Sequence, residues 1–374
     1  MRIGIDAHGV GGFSRGLGNE TYFRNLVASL SAIDAENEYH VFVDHPEVLS
    51  PLVGGRPNVR LVSLRPRSQW LQRPLSLPWY ALRHRLDVVH CPFVRPPFSA
   101  SRTIVTVHDV CFEVYPQFFT RLEAWRMKAL VPRSCRRADL VFTVSELARD
   151  QIHDLYRIPR DKIVITPNAA DHVRPGIRPS GPREFPFPYL LYVGLIQPRK
   201  NLARLVTAFD RMVERSGLPH HLLLGGSWGW RNGELSKAVA GARHRERIRF
   251  LGYCPPERVA GLLATADGFV FPSLFESFAI PVMEAQRSGV PALVANGSCF
   301  PEIYADSVLA CDPLDVDAIA AGMLRLLTDQ ALRTELVERG HRRAAMFSWE
   351  RTARIALDAY RRVCDGAGAR TVAP

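Results

Sequence analysis

Two glutamates, Glu276 and Glu284, stand with seven residues between them in the segment VFPSLFESFAIPVMEAQRSGVPALV, residues 270–294. Paired carboxylates could act on a glycosidic bond as acid and nucleophile, or could hold the hydroxyl groups of a bound ligand. A retaining glycosidase needs its carboxyl groups about 5–5.5 Å apart, which this spacing does not specify. Holding hydroxyl groups tolerates looser geometry. A loop acid followed by an acid at a helix N-terminus is the purely structural alternative.

The predicted elements place both glutamates at one edge of a sheet. GFVFPS is expected to be a strand ending near Pro272, and Pro281 suits the first turn of a helix that Gly289 ends. Glu276 would then lie in the loop at the carboxyl end of the strand, and Glu284 in the first turn of the helix. In open α/β sheets, ligands bind at this edge.

The segment YVGLIQPRKNLARLVTAF adds positive charge at the same kind of position. Gly194 follows a predicted strand, and Arg199 and Lys200 stand at the start of the next helix. Helix N-termini favour anions, and both side chains add charge-assisted contacts to phosphate. This loop therefore predicts an anion-binding site.

Two further loops follow predicted strands in the first half of the chain. The glycine-rich IDAHGVGGFSRGLGNE, which contains Gly16 and Gly18, lets backbone approach a ligand closely. TVHDVCFEVYPQ puts His108 and Asp109 just past another strand end. All of these features map to the carboxyl ends of strands, on the side of the predicted cleft.

Buried strands alternate with helical patterns throughout, which is typical of a doubly wound parallel sheet. The strand-like runs are RIGID, YHVFV, VRLVSL, DVVHC, TIVTVHD, LVFTVS and IVITPN, and then YLLYVG, HLLLGG, IRFLG, GFVFPS and PALVAN. The predicted fold class is α/β, with two Rossmann-like doubly wound parallel-sheet domains facing across a cleft. Their predicted bounds are 1–175 and 189–350, with a Pro-rich linker 176–188 between them. A C-terminal helix and tail, 351–374, is expected to pack back toward the first domain.

The length and composition of the chain narrow the class of protein to which it belongs. A length of 374 residues favours two domains, and 47% hydrophobic with 23% charged residues is ordinary for a soluble enzyme. No run of 18 apolar residues predicts a transmembrane helix, and MRIGIDAHG is too short and polar for a signal peptide. The seven cysteines form no CxxC motif, which argues against a structural zinc site and a disulfide framework. This pattern of cysteines predicts a reducing, cytoplasmic location.

The net charge of +11 favours anionic partners, although a G+C-rich genome would explain the abundant arginine equally simply. No nucleic-acid motif is present and aromatic residues do not interleave with the basic ones, so no nucleic acid is expected.

The basic stretch TRLEAWRMKALVPRSCRRAD has Leu122, Trp125 and Leu130 on its apolar side. It suits a peripheral contact with the inner face of an anionic membrane, and equally an ordinary surface helix.

The element PSLFESFAIPVMEAQRSGVPAL resembles the PSxxEGFGxPxxEAxAxGxPV pattern of retaining glycosyltransferases of the GT-B fold, family 4. The resemblance extends to VGLIQPRKNL, RIRFLGYCPPERVAGLLATADGFVFPS, GLGNETYFRNL and ADLVFTVSELARDQI, and so to nearly the whole chain. The most similar subgroup is that of mannosyl- and rhamnosyltransferases of polysaccharide assembly. The resemblance implies transfer of a hexose from GDP-mannose, or from a UDP- or dTDP-sugar, to a glycan, a lipid-linked or a natural-product acceptor. It also implies that the first domain is the acceptor side and the second the nucleotide-sugar side.

Carried over by position, the resemblance implies a role for each residue. Glu284 would hold ribose hydroxyls, and Glu276 would contact the donor sugar. The leaving diphosphate would help to deprotonate the acceptor, so no metal and no other cofactor is expected. The implied catalytic residues are His108, Arg199, Lys200 and Glu276. The implied donor-binding residues are Gly16, Gly18, Gly194, Arg199, Lys200, Tyr253, Glu276, Ser277, Phe278, Ala279 and Glu284.

Four positions depart from the family pattern, and one of them is Ala169, which follows Asn168 where glycine is common. Ser277 and Ala279 stand where the family usually has glycine, which narrows the backbone conformations that could offer amides to the sugar. Leu195 stands where the family often has arginine, so Arg199 is expected to supply that charge.

Alternative functions stay open. A sugar-nucleotide epimerase would use the same architecture, whereas a phosphorylase would need a lysine for pyridoxal phosphate, and only Lys200 lies in the predicted cleft. GLGNET half-matches a dinucleotide fingerprint but has Thr21 at its third small position, so an NAD(P)-dependent oxidoreductase is a distant alternative. The acidic DPLDVD, residues 312–317, is expected to cap a helix rather than to hold a metal.

Overall fold

The structure is a computed structural model that describes residues 1–11, 18–66, 72–173, 183–230 and 232–366. It divides into two compact units. The first consists of residues 1–168 together with the chain from residue 349 onward, and the second of residues 169–348. Of the predicted linker 176–188, residues 176–182 lie outside the described part of the chain.

The described residues of the first unit form one sheet of seven parallel strands, in the order β3-β2-β1-β4-β5-β6-β7. The strands are β1 Arg2–Asp6, β2 Glu38–Phe42, β3 Val59–Val62, β4 Val88–Pro92, β5 Arg102–Thr106, β6 Leu140–Thr143 and β7 Ile163–Ile165. The helices between them are α1 Gly18–Ile33, α2 Pro46–Val53, α3 Leu77–Arg83, α4 Cys111–Val114, α5 Arg121–Arg137 and α6 Glu146–Tyr156. The seven strands that the alternating pattern predicts are all present.

Apolar side chains of these strands are buried on both faces, as a sheet covered by crossover helices requires. On one face, Val105 and Val141 pack with Val131 of α5 and Ile152 of α6. Elsewhere in the sheet, Val89 packs with residues of α3. The basic helix α5 begins at a capping box, in which the Thr120 hydroxyl accepts from the Glu123 N–H at 3.2 Å.

The second unit also has a fully parallel sheet, whose described strands follow the order β10-β9-β8-β11-β12-β13. The strands are β8 Tyr189–Val193, β9 His221–Gly225, β10 Ile248–Gly252, β11 Gly268–Phe271, β12 Ala292–Ala295 and β13 Leu309–Cys311. The helices are α7 Leu202–Ser216, α8 Gly233–Gly241, α9 Pro256–Leu263, α10 Ile280–Arg287, α11 Phe300–Tyr304, α12 Val316–Thr328 and α13 Gln330–Ala345. Strand β13 was not predicted from the sequence, because Leu309–Cys311 contains no β-branched or aromatic residue, whereas the equally short β7 contains two isoleucines and a valine.

The helical C-terminal tail is two helices, α13 and α14 Trp349–Asp365, separated by residues 346–348. Helix α14 packs in the first unit. Trp349 lies edge-on to Tyr22, with ring centroids 6.0 Å apart. The Tyr360 hydroxyl lies 2.8 Å from His90 Nδ1, and the Thr352 hydroxyl donates to the Pro167 carbonyl at 2.6 Å. The last long helix therefore completes the layer on the α1 side of the first sheet.

The Asp315 carboxylate accepts from the Asp317 and Ala318 N–H groups, so DPLDVD caps α12 as predicted. Among the described residues, no helix combines the length and the apolar character that crossing a membrane needs.

Candidate functional site

The second sheet reverses its strand order at β8, which pairs with β9 on one side and β11 on the other. Leu190 pairs with Gly268 and Leu191 with Phe269, so the loops after β8 and β11 leave the sheet side by side. The Leu274 N–H donates to the Arg199 carbonyl at 2.9 Å and ties the two loops together. Residues 76 positions apart in the chain thereby meet at the point where open α/β sheets bind ligands.

At this point the structure brings together Arg199, Lys200 and Glu276. Lys200 Nζ lies 2.5 Å from Glu276 Oε1, and Arg199 Nη1 lies 3.7 Å from Glu276 Oε2. Lys200 and Glu276 are 7% and 6% exposed. Lys200 Nζ also lies 4.8 Å from the centroid of the Phe271 ring, which adds a cation–π contact.

Electrostatics keep the Glu276 carboxylate ionised. Burial alone would raise the pKa of Glu276, but Arg199 and then Lys200 outweigh burial and hold that pKa below its ordinary value. The cluster then holds two cations against one carboxylate. Its remaining positive charge is placed to attract an anion such as a diphosphate.

Hydrogen bonds fix the backbone around Glu276. Ser298 Oγ accepts from the Glu276 N–H at 2.8 Å and donates to the Glu276 carbonyl at 2.5 Å. The Tyr304 hydroxyl lies 2.7 Å from the Ala279 carbonyl and 3.0 Å from the Phe278 carbonyl. The Phe278 ring is buried against Phe347, with centroids 5.5 Å apart. Phe278 can therefore meet a ligand only through its backbone.

Three non-glycine residues around the site have left-handed backbone. Ala279 has φ 64°, Asn201 φ 61° and Ser298 φ 58°. Such conformations persist only where the surroundings over-determine them, and they gather at functional sites. Alanine at position 279 therefore restricts the backbone less than the sequence indicates. Ala279 adopts the conformation that glycine would take, at a cost of about 1–2 kcal/mol.

Glu284 is not in the first turn of α10, so that prediction is wrong. The helix begins at Ile280, directly after the left-handed Ala279, and Glu284 is its fifth residue. The helix N-terminus therefore does not account for this carboxylate. Instead, Glu284 Oε1 lies 2.9 Å from His172 Nε2, and both side chains keep a small exposed fraction.

The other predicted residues of the second unit lie along the same sheet edge. Gly194 follows β8 with φ 155°, and a Cβ on the neighbouring Gly226 would lie 1.9 Å from the Gly194 carbonyl oxygen. Tyr253 follows β10, two strands from β8, and is 37% exposed. Ser277 is partly exposed between Glu276 and Phe278. Gly194, Tyr253 and Ser277 thus each come after the carboxyl end of a strand.

In the first unit, His108 lies just past β5 beside the start of α1. His108 Nε2 lies 3.0 Å from Asn19 Oδ1, and its ring is edge-on to Tyr22 at 4.9 Å. An amide oxygen only accepts, so Nε2 carries the proton. Burial lowers the pKa of His108 to about 4, and the ring is neutral at pH 7. Gly18 is the first residue of α1, next to Asn19, whereas Gly16 lies outside the described residues.

Sequence reasoning missed four residues that support the site: His172, Asn201, Ser298 and Tyr304. Asn201 Nδ2 donates to the carbonyls of Pro272 and Pro313, at 3.1 and 2.6 Å. A signal existed for Asn201, since asparagine tolerates left-handed backbone better than most residues. The other three act through side-chain hydrogen bonds that leave no mark in a sequence.

Two family models match the chain: Glycosyltransferase Family 4 over residues 18–174 and Glycosyl transferases group 1 over residues 175–343. The O-antigen chain mannosyltransferase B of Escherichia coli is 33% identical over 305 residues, which cover 78% of each chain. The sucrose-phosphate synthase of Thermosynechococcus elongatus has a TM-score of 0.78 at 19% identity, over 98% of this chain and 100% of that one. HepE of Anabaena, solved with UDP and glucose, has a TM-score of 0.72 at 14% identity, over 96% and 99%.

The strain at Ala279 yields a stability prediction. Ala279→Gly removes the left-handed strain, and the greater freedom of glycine in the unfolded chain offsets part of the gain, about 0.4–1 kcal/mol. We expect the substitution to be neutral or to stabilise by up to about 1 kcal/mol in urea unfolding. The matched control is Ala285→Gly, which also removes a buried methyl group but in the interior of α10. It should destabilise by about 1 kcal/mol, and equal losses for the two variants would contradict the strain.

The buried ion pair yields a pH prediction. Lys200→Met leaves the Glu276 carboxylate with Arg199 alone, and should destabilise the protein at pH 7 by about 3 kcal/mol. Because the folded-state pKa of Glu276 is lowered, its stabilising contribution is present above its unfolded pKa and lost as pH falls through the folded pKa. The difference in unfolding free energy between the variant and the parent should therefore shrink below about pH 4.

A double variant tests the same pair. Lys200→Met with Glu276→Gln also removes the buried carboxylate that has lost its nearest partner, and should recover most of the stability lost at pH 7 in urea unfolding. If the double variant is no more stable than Lys200→Met, the loss comes from packing and the interpretation as a buried ion pair is wrong.

Proposed function

The chain belongs to glycosyltransferase family 4 and has the GT-B fold, and on that premise we propose that it is a retaining hexosyltransferase. The donor would be a nucleoside-diphosphate sugar, with GDP-mannose first among the candidates and UDP- or dTDP-sugars next. The acceptor would be a glycan, a glycolipid or a natural product. The mannosyltransferase name of its Escherichia coli relative supports the choice of sugar.

The convergence of Arg199, Lys200 and Glu276 at the carboxyl ends of β8 and β11 carries this proposal. The cluster holds an excess positive charge beside an ionised carboxylate, in a position shielded from solvent. A sugar diphosphate needs both kinds of group, because its phosphates are anionic and its sugar presents hydroxyl donors. Arg199 and Lys200 would bind the diphosphate, and Glu276 would accept from a sugar hydroxyl.

Glu284 would accept hydrogen bonds from the ribose hydroxyls. His172 Nε2 lies 2.9 Å from one of its carboxylate oxygens and fixes the direction of the carboxylate. Tyr253, exposed beyond β10, would lie beside the nucleobase. Gly194 would let the backbone approach the phosphates closely. HepE, a solved neighbour with bound UDP and glucose, supports a nucleotide donor.

The transfer would proceed by substitution on the front face of the sugar. The bond from the anomeric carbon to the diphosphate oxygen breaks as the acceptor oxygen bonds to the same face. The acceptor proton passes to the departing phosphate oxygen, so configuration is retained without a protein nucleophile. Arg199 and Lys200 would stabilise the charge that develops on the leaving group, and such electrostatic stabilisation is usually the main source of rate enhancement in an active site. No metal takes part in this scheme.

His108 stays a predicted donor-sugar contact. Its neutral ring and its Nε2–H bond to Asn19 suit hydrogen bonding better than proton transfer at pH 7.

A peripheral contact with the inner face of the cytoplasmic membrane is also proposed. Leu122 and Trp125 of α5 are 64% and 67% exposed on a basic helix. Reduced co-sedimentation of Trp125→Ser with anionic vesicles would support that contact, and unchanged co-sedimentation would oppose it.

Donor binding provides the first test. In a thermal-shift panel of GDP, UDP, dTDP, ADP and CDP, one nucleotide at a hundredfold over its Kd should stabilise the protein by about 2.7 kcal/mol. Glu284→Ala should weaken that nucleotide at least about tenfold, which equals about 1.4 kcal/mol. Glu338→Ala, an exposed glutamate of the same unit, is the matched control and should bind as the parent does. No shift with any of the five nucleotides would sink the proposal.

Product analysis tests the chemistry. With the identified donor and an oligomannoside acceptor, proton NMR of the product should show the anomeric configuration of the donor. EDTA should leave the rate within about twofold, because Arg199 and Lys200 replace a metal in the scheme. An inverted product would refute retention. Conversion of the donor sugar without any acceptor would favour the epimerase alternative.

A further inference from the structure

A basic cavity of about 460 Å³ opens in the first unit, away from the residues assigned to transfer. It lies at the amino ends of three adjacent parallel strands, β5, β6 and β7. His108 follows the carboxyl end of β5, so the cavity and His108 belong to opposite edges of the same sheet. Five cations and one acid carry the charge of its wall: Arg102, Arg136, Arg137, Lys162, Arg362 and Asp139.

The five cations come from four separate parts of the fold. Arg102 is the first residue of β5, and Lys162 immediately precedes β7. Arg136 and Arg137 form the last turn of α5, which ends where Ala138 becomes extended. Arg362 comes from the last turn of α14. Their meeting at one cavity therefore follows from the tertiary fold and not from one basic run in the sequence.

The single acidic side chain of the wall is already engaged. Asp139 Oδ1 lies 3.1 Å from Arg102 Nη1, and Asp139 Oδ2 accepts from the Thr103 N–H at 2.8 Å. Lys162 Nζ donates to the Arg136 carbonyl at 2.8 Å, which is a neutral acceptor. Burial lowers the pKa of Lys162, and nearby Asp139 only partly opposes that change.

The C-terminal ends of two helices offset part of the positive charge on the cavity wall, but not all of it. The C-termini of α5 and α14 each present a partial charge of about −0.5, and cations are common there. Counting both ends and Asp139, an excess of about three positive charges remains on the lining residues themselves. Helix capping accounts for Lys162, whose ammonium group donates to the Arg136 carbonyl in the last turn of α5. It does not account for Arg102, which begins β5.

We propose that this cavity is a second anion site, which binds the phosphate group of a phosphomonoester or diphosphate. Its volume falls within the usual range for small-molecule sites, about 300–1,000 Å³. Four of its five cations are arginines, whose planar forks match phosphate oxygens in pairs. The phosphate can come from a soluble compound or from a lipid headgroup. The site is independent of the proposed transfer reaction.

Calorimetry with inorganic pyrophosphate tests the site on the whole protein. Arg136→Gln with Arg137→Gln should weaken one pyrophosphate-binding event at least about tenfold. The matched control, Arg56→Gln with Arg342→Gln, removes the same charge from two exposed arginines outside the cavity and should leave binding unchanged. Equal weakening in both double variants would show general electrostatics, and no weakening in the cavity variant would show binding elsewhere. Either result overturns the proposal.

Two further measurements keep the test independent of folding and of transfer. Arg136 and Arg137 are exposed, so their double variant should unfold within about 0.5 kcal/mol of the parent. Arg362→Gln, on a different helix, should weaken the same event. The affinity for nucleoside diphosphates should be unchanged in the double variant and in Arg362→Gln. The test of the anion site therefore does not depend on whether the proposed donor is correct, and the test of the donor does not depend on the anion site.

Vesicles identify the source of the phosphate. Retention on phosphatidylcholine vesicles that contain phosphatidic acid, lost in the Arg136→Gln, Arg137→Gln variant, would assign a lipid headgroup. Binding of glucose 6-phosphate with that same sensitivity, and no vesicle retention, would assign a soluble compound. If the cavity variant changes neither vesicle retention nor glucose 6-phosphate binding, the proposal fails.

Discussion

The buried pair of Lys200 and Glu276 is the interaction on which the candidate site depends. Two opposite charges can be taken out of water only where the geometry between them is close and their other polar atoms are satisfied. Here the two loops that carry them are neighbours because β8 and β11 are paired strands. The Leu274–Arg199 backbone bond then sets the spacing of the loops, and the Phe271 ring covers the ammonium group. The pairing of these two strands thus brings together the charged side chains of the candidate site.

The strained backbone around this pair has the same origin. A loop that must present Glu276 toward Lys200 and then start a helix within four residues has few allowed paths. Ala279 turns the chain in the left-handed region, and Tyr304 and Ser298 hold carbonyls on either side of that turn. Such strain persists only because the surrounding hydrogen bonds outweigh it. An alanine in place of the family's glycine therefore changes the energy of the loop and leaves its path intact.

The sequence predicts most of this fold and about half of this site. Long buried runs such as YLLYVG reveal strands because parallel strands are apolar on both faces. Strand β13 is not recognised because its residues, LAC, include none of the β-branched or aromatic types that favour strands. The family pattern locates Glu276 and Glu284, since it is a pattern of residue types. It does not reveal that Glu284 lies beyond the first turn and is held by His172, because helix starts depend on the backbone angle of one residue, Ala279. Position 226 likewise needs glycine because the Gly194 carbonyl oxygen lies too close to leave room for a Cβ, and the sequence does not show this contact.

Charge is distributed in a way that composition alone does not predict. A formal charge of +11 in an arginine-rich chain is consistent with simple codon bias, and exposed arginines scattered over a surface would need no other cause. The charged cluster on the second sheet has a small excess charge that a buried carboxylate limits. The larger excess lies at the amino edge of the first sheet, where arginines from β5, α5 and α14 meet one occupied carboxylate. Codon bias places arginine along a sequence, but it does not make three distant segments converge. A bound anion would offset the repulsion among these cations.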